Sequence, residues 1–577
     1  MSARRGVLVF VLAVVVLGFL VLIVALNLRR PAVSRISSPA VLIFELPATL
    51  AEGPPPARSV FMGPRRRSRY TMYDVLRTLR AAAEDDQVSG LVLHVGSLDW
   101  GWAKIGEVRD AVTRFRQAGK PVYASLTGGG DREYLLASAA GTVAMTPTAV
   151  LQLDGLVATA TYFRGAFDKF GVSPNFAHVG RFKSAVEPYT RTGMSPDARA
   201  DLGALLDGLY GALLDGVGNA RGLPRDSVAG LVDDGPFPAV EARQRGLLDT
   251  LLYDSEVDSL ALRRGGRRLP HVTFARYFAG LSAPTSGSHV ALVVAEGAIV
   301  GGRSRQLPGQ DADLGSETVI EALRQARTRK AIKAVVLRID SPGGTSQASD
   351  DIWREVQRCR ATKPVIVSMS DVAASGGYYF AVAADSIVAS PATLTGSIGI
   401  YGGKFNILGL YHKLGLNVET VSRGRHAEML SPYRDFTPEE TRLFERSLQS
   451  FYRGFVARVA RGRRLSEAAV DSVAEGRVWL GTAARAHGLV DRLGGLETAF
   501  AMARARARIP ADEDLVVEIF PRVRRSFLER VLEDLFVTDD DSDAELSLPP
   551  MLRAWATVDR FPAGEPLAIM PYRIEVR

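Results

Sequence analysis

The 577-residue chain is predicted to be an α/β protein in which one structural unit occurs twice, each unit having a parallel sheet covered by helices on both faces. The first observation is an internal match, because the sequence repeats itself at an offset of 244 residues. Identical pairs at this offset include Ser97 and Ser341, Tyr134 and Tyr378, Pro147 and Pro391, Gly155 and Gly399, Lys169 and Lys413, and Gly180 and Gly424. Solenoid repeats are only ~20–50 residues long, so this offset indicates a duplicated domain. The second observation is that continuous apolar strands alternate with helices in each unit, as in parallel α/β sheets.

The N-terminal segment predicts a membrane anchor. Residues 6–28 carry no charge and are dominated by Val, Leu, Ile and Phe, with arginine pairs on both sides. This length can span a hydrocarbon core of ~30 Å, whereas a cleaved signal peptide, the alternative, has an apolar core of only ~7–15 residues. Residues 1–30 are therefore interpreted as an uncleaved transmembrane helix. The arginines at both ends leave its orientation open.

The rest of the chain divides into three regions. The first repeat is predicted over residues 31–265 and the second over residues 286–510, with a linker rich in Gly, Arg, Pro and Ser between them. In the second repeat, a buried strand at 334–339 is followed by a glycine-rich turn, a helix and a strand at 364–368. Residues 511–577 are predicted to be a C-terminal extension of unknown role, whose acidic run is interpreted as a solvated loop rather than a metal site.

Composition excludes several kinds of chemistry. Cys359 is the only cysteine, so an intrachain disulfide, a thiolate zinc site and a redox pair are all excluded. The seven histidines show no metal-ligand spacing, and we expect neither a metal nor another cofactor. The formal charge of +8 is spread over short arginine clusters without interleaved aromatic residues, which argues against nucleic-acid binding. These clusters are interpreted as solvated loops, with anionic lipid head groups as the alternative partner.

Ser375 is the candidate nucleophile. It follows a predicted strand and begins the run Ser375-Gly376-Gly377 at the start of a predicted helix. A serine in this position is often only a helix cap. Here the glycines also allow a substrate backbone to approach closely, and a helix N-terminus favours developing negative charge. The backbone N–H groups of Gly376 and of Gly343, in the neighbouring glycine-rich turn, are predicted to form an oxyanion hole.

The candidate base lies in the other repeat. At the offset of 244 residues, Ser375 corresponds to Asp131 in the first copy, whereas Lys183 corresponds to Ala427 in the second. A lone lysine is usually solvated, but a buried lysine can act as a general base because desolvation lowers its pKa. The reciprocal loss of the serine from one copy and the lysine from the other favours a single site shared between the repeats. His426, the nearest histidine by register, is the alternative base.

Four separated motifs together resemble the signal peptide peptidase A family in its long, tandem-repeat form. They are GRFKSAVEP at 180–188, DSPGG at 340–344, DVAASGGY at 371–378 and LTGSIG at 394–399. The resemblance covers about residues 40–510. This family consists of membrane-anchored bacterial serine peptidases of the Clp-protease/crotonase-like superfamily, so the resemblance implies two tandem crotonase-like repeats. A mild departure is Gly-Arg-Phe-Lys in the first motif, where Gly-Lys-Tyr-Lys is commoner.

The resemblance also implies roles and partners. Ser375 would be the nucleophile and Lys183 the general base of a Ser/Lys dyad, with Ser397 orienting the lysine; the first copy has Leu153 in its place. The implied substrates are cleaved signal peptides and other short apolar peptides. The family further suggests a homotetramer that forms a bowl, with the active sites inside and the membrane anchors at its rim. We expect a single-pass protein of the bacterial inner (cytoplasmic) membrane, with the lipid bilayer as a partner and the catalytic body in the periplasm.

Two other functions stay open at this point. A crotonase-type acyl-CoA enzyme would share the fold and the paired N–H oxyanion hole, but it would need a different base, for which Asp131 is the candidate. A catalytically inactive membrane scaffold would use both copies only for assembly. A fluorophosphonate probe distinguishes the three, because only a serine peptidase should be labelled at Ser375.

Overall fold

The computed structural model describes residues 38–54, 70–264, 266–282, 284, 286–305, 313–522 and 564–570. The segment predicted to be a transmembrane helix, residues 6–28, lies outside these residues, as does the acidic run of the C-terminal extension. Among the described residues, no helix combines the length and the apolar composition needed to cross a membrane.

Strands and helices alternate along most of the chain. The strands are β1 Ala40–Glu45, β2 Val88–Val95, β3 Val122–Leu126, β4 Thr142–Met145, β5 Val150–Leu151, β6 Ser173–Val179, β7 Phe237–Pro238, β8 Thr250–Leu251, β9 Arg263–Arg264, β10 Arg267–Arg268, β11 His271–Thr273, β12 Ser288–Glu296, β13 Ala298–Val300, β14 Asp313–Gly315, β15 Ile332–Ser341, β16 Gly343–Thr345, β17 Val365–Ala374, β18 Ser386–Ala389, β19 Leu394–Gly396, β20 Ile400–Asn406, β21 Val478–Leu480, β22 Arg492–Leu493, β23 Leu515–Phe520 and β24 Leu567–Ile569. The helices are Met72–Glu84, Trp102–Gln117, Asp131–Ala137, Arg164–Phe170, Glu187–Thr190, Pro196–Arg221, Arg225–Asp234, Ala239–Gln244, Asp254–Leu262, Phe274–Gly280, Ser316–Thr328, Ser346–Arg360, Gly376–Ala381, Leu408–Lys413, Pro438–Arg463, Glu467–Asp471, Gly481–Ala486 and Leu496–Arg506, with a 3₁₀ turn at Ser184–Val186.

The first repeat is built on a parallel sheet with the order β11-β1-β2-β3-β4-β8. Its central strand β2 contains the apolar run Leu91, Val92 and Leu93, whose three side chains are fully buried. Burial on both faces of the sheet explains why this run is continuous instead of alternating with polar residues. The predicted parallel α/β architecture is confirmed for this repeat.

The second repeat has the same arrangement. Strands β23, β12, β15, β17 and β18 run parallel in that order, and the helix Ser316–Thr328 stands at the offset of 244 residues from Met72–Glu84. Each sheet also takes one edge strand from beyond the predicted repeat limits, namely β11 and β23. The prediction of two tandem α/β repeats is confirmed, whereas the predicted anchor lies outside the described residues.

A third sheet joins the two repeats, in the order β14-β13-β16-β24-β20-β6. Strand β6 comes from the first repeat and pairs antiparallel with β20 of the second, from Ser173 opposite Asn406 to Val179 opposite Ile400. The chain that leaves β6 therefore enters the space between the repeats. Strand β24, from the predicted C-terminal extension, lies between β16 and β20 in the same sheet.

A buried cluster of charges locks the repeats together. Arg338 of β15, whose side chain is 0% exposed, donates from Nε and Nη2 to the two carboxylate oxygens of Glu52 at 2.8 and 3.0 Å. Its Nη2 also lies 2.8 Å from Oε1 of Glu107. Burial alone would raise the pKa of Glu52, but Arg338 and Lys104 outweigh it and hold that pKa at about 2. Both glutamates belong to the first repeat, so one second-repeat arginine binds two first-repeat carboxylates.

Lys104 extends this cluster from the other side. Its Nζ lies 2.8 Å from Asp340, 3.5 Å from Asp371 and 3.7 Å from Glu52. The Asp371 carboxylate also accepts hydrogen bonds from the backbone N–H groups at the start of the helix Trp102–Gln117, where negative charge is favoured. Asp340 and Asp371 begin the two motifs that carry the glycine-rich turn and the serine. The docking of the repeats thus also positions both motifs.

We expect Arg338→Met to destabilise the protein strongly, because two buried carboxylates would lose their counter-charge. Removing one partner from a buried ion pair typically costs about 3–5 kcal/mol, and the free energy of unfolding measured in urea should fall by about that amount. The matched control is Arg324→Met, since Arg324 is half-exposed and pairs with Glu321 at 3.4 Å on the surface; its change should stay below about 1 kcal/mol. Equal effects of the two substitutions would contradict the role of the cluster.

Candidate active site

Ser375 lies at a sharp turn between strand and helix. It follows β17, caps the helix Gly376–Ala381 and has a positive φ of 53°, which is unusual for a residue other than glycine. Its own N–H donates to the carbonyl of Gly396 at 2.8 Å, and its carbonyl accepts from Tyr379 N–H at 2.8 Å. A non-glycine residue keeps such a conformation only where its surroundings fix it, and these bonds do so. The turn presents the serine hydroxyl at the helix N-terminus.

Lys183 reaches the same place from the first repeat. It directly follows the turn after β6 and precedes the 3₁₀ turn Ser184–Val186. The preceding residue, Phe182, donates its N–H to the carbonyl of Glu475 at 2.8 Å, and its ring is covered by the guanidinium groups of Arg181 and Arg477 at 4.6 and 4.9 Å. The loop that carries the lysine is therefore held by the second repeat.

The two predicted functional groups are in hydrogen-bond contact. The distance from Lys183 Nζ to Ser375 Oγ is 2.8 Å, and both residues are 0% exposed. Nζ also donates to the carbonyl oxygen of Ser397 at 3.0 Å and to its Oγ at 2.9 Å. Ser397 thus contacts the lysine, as predicted from the resemblance, and it does so through its backbone as well as its hydroxyl. Like Ser375, it has a positive φ, 50°.

The surroundings of Lys183 favour a neutral amine. Burial lowers the pKa of Lys183 well below the ordinary value for lysine. Its hydrogen-bond partners are two hydroxyls and a carbonyl oxygen, none of which carries a charge that would restore the ammonium form. A neutral amine has two N–H groups and one lone pair. With both N–H groups donated to Ser397, the lone pair is left for the Ser375 hydroxyl.

Two glycines outside the predicted site residues make room for the lysine. A Cβ on Gly476, which has φ 82°, would lie 2.5 Å from Lys183 N, and a Cβ on Gly399 would lie 3.1 Å from Lys183 Cδ. Gly476 also donates its N–H to the carbonyl of Ile398 at 2.8 Å, next to Ser397. Sequence reasoning missed both roles. Gly399 is identical to Gly155 at the repeat offset, which marks it as part of the duplicated unit but not as a neighbour of Lys183. Nothing in the sequence connects Gly476 with the lysine.

The predicted oxyanion glycines lie close to each other. A Cβ placed on Gly343 would be 2.9 Å from Gly376 N, so the glycine-rich turn passes directly against the start of the serine helix. Gly343 has φ 103°, and its N–H donates to Ser341 Oγ at 3.2 Å. One glycine thus begins the helix that follows the serine and the other lies in the neighbouring strand β16, and their role as an oxyanion hole stays a prediction.

The alternative residues lie elsewhere. His426 has Nε2 3.8 Å from Glu439 and Nδ1 3.6 Å from Glu440, while the contact with Ser375 is made by Lys183. Asp131, the counterpart of Ser375, is buried at the start of its own helix in the first repeat. Burial, together with the charge of Asp154, raises the pKa of Asp131 to about 7. The first copy thus keeps a helix at this position but carries an acid there.

A buried serine at a strand-to-helix turn, in contact with a basic side chain, is the arrangement of a serine hydrolase. Comparison with known protein families agrees with this class. The model of peptidase family S49 matches residues 114–263 and 357–509. The chain belongs to this family and is a serine peptidase with two S49 regions.

Several relatives are similar over most of the chain. A chloroplastic serine protease, SPPA, from Arabidopsis thaliana is 38% identical over 76% of this chain, and the match spans 66% of that relative's own length. Protease 4 of Salmonella typhi is 32% identical over 76% of this chain and 72% of its own. Protease 4 of Haemophilus influenzae is 29% identical over 91% of this chain and 89% of its own. These matches support the resemblance inferred from the four motifs.

The lowered pKa of Lys183 predicts how stability depends on pH. Between the lowered pKa in the folded state and the ordinary value in the unfolded state, the unfolded chain binds more protons at this residue, so stability rises with pH across that window. We expect the free energy of unfolding of the native protein to rise relative to that of Lys183→Met between neutral pH and the ordinary lysine pKa, and urea unfolding at several pH values measures this difference. A difference between the two proteins that stays constant over this range would contradict a neutral lysine.

Proposed function

We propose that the protein is a membrane-anchored serine endopeptidase that degrades cleaved signal peptides and other short apolar peptides, with Ser375 and Lys183 as its catalytic dyad. The observation that carries the proposal is the buried contact of 2.8 Å between Lys183 Nζ and Ser375 Oγ, made by two residues from different repeats. Membership in family S49 supports the peptidase class. The lowered pKa of Lys183 supports its role as a base near neutral pH.

In the proposed mechanism, neutral Lys183 takes the proton of the Ser375 hydroxyl as Oγ attacks the carbonyl carbon of the peptide bond. The C–O bond forms, and the oxyanion is stabilised by the N–H groups of Gly376 and of Gly343, the latter after it leaves Ser341 Oγ. The ammonium of Lys183 then gives its proton to the leaving amine as the C–N bond breaks. Water hydrolyses the resulting ester, with Lys183 again as the base, and Ser375 is regenerated.

The polarity of the site supports apolar substrates. Beyond the lysine, the cluster around Ala185, Val186 and Tyr401 is apolar, with Phe176 packed against it. The apolar segment at 6–28 supports attachment to a membrane, where apolar peptides are released. We therefore propose a single-pass protein of the bacterial inner membrane with its catalytic body in the periplasm.

We further propose a homotetramer. The internal repeat supports contacts between its copies that are made by strand pairing. Within the chain, β6 pairs with β20. Their counterparts at the offset of 244 residues, 417–423 and 156–162, belong to no strand in the described part of the chain. Val421 at the centre of the first counterpart is 90% exposed. If 417–423 of one copy pairs with 156–162 of the next, head-to-tail contacts repeat around a closed ring.

We expect Ser375→Ala and Lys183→Ala each to reduce hydrolysis of a short apolar peptide by roughly 10³-fold or more, because the two groups act as one unit. A fluorophosphonate should label Ser375 in the native protein and leave Ser375→Ala unlabelled. The matched control is Lys120→Ala, which removes a lysine that donates to the carbonyls of Ala82 and Asp85 in the first repeat, outside the dyad and the docking cluster. Labelling of Ser375 with no dependence on Lys183 would contradict the dyad, and absence of labelling would favour an acyl-CoA enzyme or an inactive scaffold.

We expect Val421→Asp to convert the tetramer into smaller species, because a charge would be placed in the strand pairing between copies. Light scattering after size exclusion should give about four times the 62.2 kDa chain mass for the native protein and less for the variant. The matched control is Val240→Asp, since Val240 is 52% exposed and lies on the helix Ala239–Gln244. A native protein that is monomeric at all concentrations would contradict the assembly.

A further inference from the structure

Residues 564–570 of the C-terminal extension lie in the groove between β16 and β20. Residues 564–570 include β24, which pairs antiparallel with β16 on one side and with β20 on the other. Gly564 N–H donates to the carbonyl of Gly403 at 3.0 Å. Among the described strands, β16 and β20 are joined in one sheet only through β24. This segment therefore occupies a position that an added peptide strand could take.

The register places Ala568 opposite Gly344. Strand pairing aligns Gly344 with Ala568, and the flanking hydrogen bonds run from Met570 N–H to the carbonyl of Pro342 at 2.7 Å and from Ser346 N–H to the carbonyl of Pro566 at 3.1 Å. Hydrogen-bonded pairs alternate along an antiparallel ladder, so Gly344 and Ala568 form the bonded pair between these two. The carbonyl of Ala568 thus faces the N–H of Gly344.

The same carbonyl lies against both glycines that border the serine. A Cβ added to Gly343 would be 2.0 Å from Ala568 O, and a Cβ added to Gly376 would be 3.1 Å from it. Gly376 directly follows Ser375, and the N–H of Gly343 is already donated to Ser341. Any side chain at Gly343 would collide with the segment. The backbone at Ala568 therefore lies beside the residue that directly follows Ser375.

The side chains of the segment alternate between two environments. Leu567 and Ile569 pack on Ala185, Val186 and Tyr401, next to the lysine. Ala568 points to the opposite face, where it is 0% exposed within the core of the second repeat. The position opposite Gly344 therefore has room only for a small side chain, whereas the positions before and after it along the segment hold large apolar side chains.

We propose that residues 564–570 occupy the substrate groove of the active site as an internal, substrate-like inhibitor, with Ala568 next to the two glycines that border Ser375. This inference rests on the proposed peptidase function and adds its substrate class: an extended apolar peptide, bound by strand addition between β16 and β20, with a small residue opposite Gly344. A substrate must displace the segment before it can reach Ser375. Tethered segments have effective concentrations on the order of millimolar, so even a weakly bound segment competes well.

The test compares the full chain with Ala568→Arg, because an arginine does not fit a fully buried alanine position and should release the segment. We expect the variant to hydrolyse a short apolar peptide with kcat/KM about fivefold to tenfold higher, through a lower KM, and to react faster with a fluorophosphonate. A synthetic heptapeptide with the sequence of residues 564–570 should inhibit the variant competitively, and the same peptide with arginine at the Ala568 position should not. The matched control is Ala505→Arg on the exposed face of the helix Leu496–Arg506, which should behave as the native protein.

The outcomes separate this inference from the proposed function. If Ala568→Arg and the native chain hydrolyse and are labelled at equal rates, and the heptapeptide does not compete, the internal inhibitor is wrong while the peptidase stands. If Ala568→Arg loses activity and the heptapeptide fails to inhibit the native chain even above the millimolar effective concentration of the tethered segment, the inhibitor is again wrong. If no form is labelled at Ser375 or hydrolyses peptides, the proposed function itself fails.

Discussion

The docking of the two repeats through buried charges is the constraint on which the active site depends. Lys183 and Ser375 come from different repeats, so the distance between Nζ and Oγ is set by how the repeats meet. Arg338 stabilises that meeting, because its buried guanidinium pairs with both Glu52 and Glu107 of the other repeat, and a buried charge left without its partner is costly. The contact between Lys183 and Ser375 depends on this docking.

The two buried lysines at the junction of the repeats explain how one residue type serves opposite purposes. Burial disfavours the charged ammonium form of both side chains and so acts to lower both pKa values. Around Lys104, however, the carboxylates of Asp340, Asp371 and Glu52 outweigh burial and raise its pKa, so it stays an ammonium ion and stabilises the docking. Around Lys183 there are hydroxyls and a carbonyl oxygen, and burial lowers its pKa. The difference lies in the partners, not in the depth of burial.

Much of the fold and the contact between Lys183 and Ser375 could be predicted from the sequence, because duplication turns one chain into two comparable copies. The reciprocal differences at Asp131 and Ala427 pointed to a shared site. What could not be predicted depends on contacts between distant segments: Arg338 and Glu52 are 286 positions apart, and neither belongs to a recognisable motif. Gly476 was missed for the same reason. A repeat offset predicts which residues correspond, but it carries no information about which surfaces of the copies meet.

The duplicated contacts separate structural residues from functional ones within this single chain. Tyr134 donates to the carbonyl of Leu247 at 2.7 Å, and its counterpart Tyr378 donates to Leu489 at 2.8 Å. Each copy also has an arginine that donates to an aspartate, Arg221 to Asp249 in the first and Arg463 to Asp491 in the second. In both copies the same aspartate accepts a hydrogen bond from a backbone N–H group. These contacts maintain the unit and therefore occur twice. Ser375, Lys183 and Ser397 occur once each, since the other copy has Asp131, Ala427 and Leu153 at these positions, so their contact with one another is not needed to maintain each unit.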